Sequence, residues 1–230
     1  MLIKAFDIRV ILLSSSYFLL IFLKFIGVLV VSRNLILISF TLLFYSCVSA
    51  ETQWKSLFDG KSIKGWSTKV EGDVKAVDGE IQILTKKNLW LVTDAQFSDF
   101  ELEAEVLMPT DSYNSGIGFR IDNSGKKPMG YQCEVADAKT GSVYAIGKGW
   151  VLPKSKNDWA GFYAKAGDCF KKEKWNKIRI VCKGKRIQIW VNGHQTVDIE
   201  DDKFTKGGIA LQHHGKGAVH RFRNIRVREL

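Results

Sequence analysis

Proline is almost missing from this sequence, with 3 residues in 230, and cysteine (4), methionine (3) and histidine (4) are nearly as scarce. No linker, internal repeat or low-complexity run divides the chain after residue 50, which argues against a string of modules. No CxxC and no Cys/His pair at zinc-binding spacing occurs, so a structural zinc site is not encoded. GxSxG, HExxH, the P-loop and the dinucleotide fingerprint are all absent, which removes the common routes to serine hydrolases, zinc proteases and nucleotide-dependent enzymes. No segment after residue 50 sustains a long hydrophobic stripe of period 3.6, so a helical bundle is excluded as well. What is present is 46% hydrophobic and 25% charged residues, 20 glycines and 12% aromatics, a composition that rules out wholesale disorder and suits an aromatic-rich β protein. Past residue 50 there are 30 basic and 23 acidic side chains, a net of +7. The lysines are scattered, which is not the concentrated basic face that a nucleic-acid partner requires.

Residues 1–50 read as targeting sequence. Residues 10–31 are almost wholly apolar, broken by Ser14-Ser15-Ser16 and Lys24. A second apolar run, Leu35 to Tyr45, is 11 residues long, too short for a bilayer and right for the apolar part of a signal peptide. Arg33 precedes it and Val48-Ser49-Ala50 follows, so cleavage is expected before Glu51. Two readings of the first run stand: a membrane span weakened by Lys24, or a start lying downstream at Val31, read from GTG. Cys47 after Ser46 offers a lipid anchor, although Phe44 and Tyr45 fit a lipobox poorly. Each route exports the domain, to the periplasm, the outer membrane as a lipoprotein, or the medium. Membrane contact is then through leader or anchor alone. Disulfides become chemically possible in such a compartment. Cys169 and Cys182, flanking Trp175, are candidates for a bridge, and Cys133 reads as a buried thiol.

Beyond residue 50 the period is two. Leu102, Ala104, Val106 and Met108 alternate with Glu101, Glu103 and Glu105, a half-buried strand with an acidic outer face. Residues 178–199 read as a three-stranded meander turned by Lys183-Gly184-Lys185 and Asn192-Gly193, and Asp78-Gly79 joins 74–77 to 80–84. Further strands are expected near 115–122, 130–137, 141–146, 208–213 and 218–228. The expectation is an all-β, two-sheet sandwich or jelly roll over 54–230.

An ordered set of motifs runs the length of that region. It comprises Leu57-Phe58-Asp59-Gly60-Lys61, Gly65-Trp66, Asn114-Ser115-Gly116-Ile117-Gly118-Phe119-Arg120 and Gly130-Tyr131-Gln132-Cys133-Glu134-Val135-Ala136-Asp137. It continues with Thr140-Gly141-Ser142-Val143-Tyr144, Trp175-Asn176, Val191-Asn192-Gly193, Gly208-Ile209-Ala210-Leu211-Gln212-His213-His214-Gly215 and Phe222-Arg223-Asn224-Ile225. The set resembles the 3-keto-disaccharide hydrolase family, also described as 3-keto-glucoside 1,2-lyases and 3-keto-2-hydroxy-glucal hydratases. The resemblance implies a concanavalin A-like jelly roll and cleavage of 3-keto-glycosides by C2 deprotonation, β-elimination and hydration. The rival reading is a non-catalytic, lectin-like module.

Gln132 and Glu134 share one face of a strand, a carboxylate beside an amide that suits either binding of sugar hydroxyls or proton transfer next to a carbonyl. Asp137 has the opposite parity and joins them only if the strand ends near Ala136. The family order is often Tyr-Glu-x-Gln, whereas here Gln132 precedes Glu134. His213 and His214 point to opposite faces, and the family pattern selects His214, directly before glycine, with His213 where relatives often carry Asp. Glu134 or His214 is the expected base or acid, and Arg120 or a divalent metal ion the expected partner of the oxyanion. Trp66, Tyr144, Trp150 and Trp159 are candidate platforms for sugar rings, with Lys148, Gln212 and His213 as further contacts. Trp54, Trp90 and Trp175 read as core. Asp198, Glu200, Asp201 and Asp202 read as a solvated turn more readily than as a calcium site. A separate oxidoreductase has to make the 3-keto group, because this chain carries no redox-cofactor motif.

Overall fold

The computed structural model of the chain describes residues 52–109, 113–136 and 139–230. The leader and Asp137 lie outside the described residues.

Eight strands form one antiparallel sheet: β1 (Lys55–Ser56), β3 (Asp73–Val77), β4 (Glu80–Leu84), β6 (Phe100–Leu107), β11 (Asn176–Lys183), β12 (Arg186–Val191), β13 (His194–Glu200) and β15 (His220–Glu229). Their order is β13-β12-β11-β6-β15-β4-β3, with β1 added to β15. Seven strands form the second: β2 (Trp66–Ser67), β5 (Asn88–Thr93), β7 (Ser115–Asp122), β8 (Met129–Val135), β9 (Val143–Ala145), β10 (Gly149–Leu152) and β14 (Gly208–His214), ordered β10-β9-β8-β7-β14-β5-β2. Alternation decides which side chains meet between the sheets. Phe100, Leu102, Val106, Ile178 and Ile180 from the first meet Ile117, Phe119, Tyr131, Cys133, Ile209 and Leu211 from the second, all essentially sealed from water. The result is the expected jelly-roll sandwich. The two-residue turns are where the sequence put them, with left-handed φ at Asp78 (52°) and Gly79 (77°) and at Asn192 (49°) and Gly193 (84°).

Two local expectations are corrected, and one short element is added. A helix is present, α1 (Trp159–Ala166), but its eight residues bury only Phe162 and Ala166, too few to register as a period. Trp54 and Trp175 are not core. They lie half-buried on the outer face of the eight-stranded sheet, under the guanidinium groups of Arg226 (4.5 Å) and Arg223 (4.0 Å). All three cysteines after residue 50 that the structure describes are thiols. Cys169 offers its carbonyl to Asn192 beside the start of β11, whereas Cys182 sits near that strand's far end, paired with Phe100. Five residues of extended chain separate these levels, about 17 Å, beyond the reach of a disulfide.

The acidic outer face of β6 is neutralised from both sides. Glu101 pairs with Arg179 and Arg228, Glu103 with Lys177 and Arg226, and Glu105 with Arg223. Five basic side chains thereby share three carboxylates on this sheet.

Candidate functional site

The outer face of the seven-stranded sheet is different. Register places Trp150, Tyr144, Gln132, Gly118, Ala210 and Val92 in one row across six strands, and Glu134, Gly116, Gln212 and Trp90 in the next. Small residues occupy the middle and large ones the flanks, so the surface is a trough of about 450 Å³.

Gly116 makes a second feature possible. Its missing side chain leaves the space through which the Gln132 amide crosses β7. Gln132 Nε2 donates to Gln212 Oε1 (2.8 Å), and Gln212 Nε2 donates to Asn88 Oδ1 (3.0 Å). The Ser115 carbonyl, also facing Gln132 Nε2 (3.4 Å), fixes the direction of this amide relay, since a flipped Gln132 would set oxygen against oxygen. The relay leaves Gln132 Oε1 as an acceptor and Asn88 Nδ2 as a donor toward the cleft. A Cβ on Gly116 would lie 2.4 Å from Gln132 Nε2 and 2.6 Å from its Cγ. Gly116→Ala is therefore expected to displace Gln132 and lower stability by about 1–3 kcal/mol. A thermal melt checks this, and an unchanged melting temperature would mean that the relay does not hold Gln132.

Glu134 lies on the trough floor, 8% exposed, and its carboxyl accepts no hydrogen bond from another described residue. Burial pushes its pKa up from 4.5 to about 7, opposed by the positive charge of Lys139. That lysine reaches the cleft from the turn after β8, where Ser142 Oγ donates to its carbonyl (2.7 Å), and its ammonium lies 5.6 Å from the Trp150 ring and 5.8 Å from Trp159. His214 lines the opposite side. It is on β14, two strands from Glu134, about 10 Å across the sheet, and its backbone N–H donates to Asn114 (3.0 Å). Tyr144, Trp150 and Trp159 pack edge-to-face in a continuous wall with centroid spacings of 5.1 and 4.8 Å, of which Tyr144 and Trp150 line the trough and Trp159 does not.

Several expected contributors are elsewhere. Arg120 does not enter the cleft. A bulge between Phe119 and Asp122, with Arg120 at φ 51°, turns its side chain inward. There its guanidinium donates to the carbonyls of Ser98 (2.8 Å), Gly184 (2.8 Å) and Phe204 (3.2 Å) and meets Asp99. His213 is turned inward too. It stacks on His220 at 3.9 Å, and its Nε2–H donates to the Ala218 carbonyl (3.1 Å) while Nδ1 accepts from Gly215. Burial holds the His213 ring below the usual histidine range. Trp66 is core, its indole N–H donating to the Leu57 carbonyl (2.7 Å). Lys148 is exposed beside the cleft without lining it.

Conversely, Asn88, Asn114 and Lys139 line the trough without having been singled out, and Trp90, expected as core, is buried but lines the trough as well. The Asn-x-Trp spacing of Asn88 and Trp90 was the available signal, since two residues apart on a strand share a face. Among the described residues no three His, Cys, Asp or Glu side chains come together to hold a metal ion, so the donor set described does not fit one. The cluster from Asp198 to Asp202 is engaged in ion pairs instead: Asp198 with Arg186, Glu200 with Lys185 and Asp201 with Lys203.

No curated protein matches the chain in sequence. Among solved structures, a proposed glycosyl hydrolase from Parabacteroides distasonis is 19% identical with a TM-score of 0.59, over 79% of this chain and 95% of that one. A second from the same organism is 22% identical at 0.58, over 78% and 100%. The carbohydrate-binding module CBM66 from Bacillus subtilis is 18% identical at 0.51, over 72% and 96%. At these identities the likeness shows the fold. The family is shown by sequence, because residues 53–228 match the 3-keto-alpha-glucoside-1,2-lyase-like domain. The chain belongs to that family of carbohydrate-acting domains.

Proposed function

We propose that this domain cleaves 3-keto-glycosides. The observation that carries the proposal is Glu134: a buried carboxyl that accepts no hydrogen bond from the other described residues, with its pKa near neutrality, on the floor of a sugar-sized trough. A ketone at C3 acidifies the C2–H. Glu134 takes that proton, and the electron pair moves to O3 as an enolate. When the C3 carbonyl re-forms, a C1=C2 bond forms and the C1 substituent leaves. Water adds to C1 and a proton returns to C2, giving net hydrolysis. A carboxylate titrating near the working pH suits this step because it is both ionised and basic enough. Lys139 and the Asn88 amide nitrogen are the donors for the charge on O3. His214, across the trough, protonates the departing oxygen and then takes a proton from the incoming water. Trp90 and Trp150 present apolar faces to the pyranose ring.

The test is incubation of the purified domain with a 3-keto-disaccharide and with its unoxidised parent. Release of a 3-keto monosaccharide from the former alone is the expected result. Binding of both without turnover would make the domain a carbohydrate-binding module, the second reading, which the aromatic wall favours. The substrate requires a separate oxidoreductase to form the ketone. Export accompanies this reading, and the mass of the native protein is expected to place its N-terminus at Glu51; an intact 1–50 segment would refute that.

A further inference from the structure

Past Trp90 the trough opens into a second hollow of about 420 Å³. The two share Asn88, Trp90, Lys127, Pro128 and Ile146, so a ligand on the trough floor extends into the second hollow without leaving the protein surface. Its inner wall is apolar, from Val70, Trp90, Pro128 and Ile146. Its rim is basic, from Lys69, Lys126 and Lys127, and among the described residues no carboxylate lines it. The rim is held in place: the Lys69 ammonium donates to the carbonyls of Asn123 and Gly125 (2.7 Å to the latter), tying the segment after β2 to the β7–β8 loop. Asp122 interacts with Lys69 through its charge, while its carboxylate accepts from the Ser124 N–H (2.9 Å). Three ammonium groups and, among the described residues, no carboxylate line the hollow, which sets positive charge over an apolar platform. A neutral sugar ring needs donors and acceptors in mixture. This rim offers charged donors in excess, the pattern that suits a ring bearing an anion.

We propose that this hollow is the leaving-group subsite and that it selects an aglycone carrying a fixed negative charge, a uronate carboxylate or a sulfate ester. The proposal rests on the reading of the Glu134 trough as the site that holds the sugar to be cleaved.

Calorimetry with two matched probes tests it: 4-carboxyphenyl α-glucoside and its neutral methyl ester, titrated into wild type, Lys126→Glu and Lys69→Met. Lys126 and Lys69 line this hollow and not the trough. The carboxylate probe is expected to bind wild type about tenfold more tightly than the ester and to lose that preference at about 0.5 M salt. The preference should also vanish in Lys126→Glu and weaken in Lys69→Met, with ester affinity unchanged within about twofold. A phenyl sulfate probe in place of the carboxylate separates the two anion sources, the tighter one being the aglycone type. Equal binding of charged and neutral probes to wild type, a preference that survives both substitutions, or no binding of either probe overturns the subsite. Turnover of the 3-keto form of the ester is measured separately. Turnover without charge preference overturns the subsite alone, and charge preference without turnover overturns the cleavage reading alone.

Discussion

Glu134→Gln is expected to lower turnover of a 3-keto-glycoside by roughly 10²–10⁴-fold, the range for loss of a general acid or base, and to leave ligand binding much less changed. The amide fills the same space and keeps hydrogen-bonding reach, but cannot accept the C2 proton. The same substitution should stabilise the protein. The carboxyl's pKa rises from 4.5 when unfolded to about 7 when folded, chiefly through burial. Between those values the unfolded state binds fewer protons than the folded one, so stability falls as pH rises. The neutral group's full contribution is present below pH 4.5 and is lost through about pH 7. Above that the ionised carboxyl costs about 3 kcal/mol. Glutamine carries no such penalty, so its melting temperature should exceed that of wild type at pH 8 and match it at pH 4. The wild-type rate should in turn climb through about pH 7, as a base becomes ionised. Near-full turnover by Glu134→Gln would move the proton transfer to His214, and His214→Gln would be assayed next.

Arg120→Met is expected to lower stability by about 3–5 kcal/mol, the loss typical of removing one partner from a buried charged network. The side chain is 1% exposed and its guanidinium holds three carbonyls from three separate segments: Ser98 before β6, Gly184 in the β11–β12 turn, and Phe204 before β14. β7 belongs to one sheet and the β11–β12 turn to the other, so this single cation fastens both sheets at one end of the sandwich. Methionine fills part of the volume and leaves those carbonyls without their donor. Lysine keeps the charge but lacks the planar fork, and should recover only part of the loss. Urea titration reads the change as a lower midpoint at unchanged slope. A shift of less than about 1 kcal/mol would mean that the carbonyls find other donors. The folded fraction should retain its kcat, because the residue does not reach the cleft.

Alternation made most of the architecture readable. It placed Gln132 and Glu134 on one face and His213 and His214 on opposite ones, and both relations hold. It failed where the backbone broke its own period. Gly116, Gly118 and Arg120 share parity, which in an unbroken strand would put Arg120, the expected oxyanion partner, on the glycine face, but the bulge after Phe119 inserts a residue and reverses it. Trp66 and Trp90 show a different limit. Both are buried, one between the sheets and one under the cleft, and a single chain segment does not state which sheet face its apolar residues will cover. Lys139 carried no signal because it sits in a turn, where neither period applies. The amide relay was unreadable because it joins residues up to 124 positions apart.

The register of β1 beside β15 has a practical bearing on how the molecule could be handled. Lys55 pairs with Val227 and Ser56 with Arg226, so the first and last strands of the domain are neighbours in the eight-stranded sheet. The trough belongs to the other sheet. A tag, a resin or a fusion partner joined near either of these strands attaches behind the opening and leaves it clear, even for a long glycan chain. A circular permutant that links the two neighbouring ends by a short loop, with new termini cut in the exposed β3–β4 turn, would keep the same geometry.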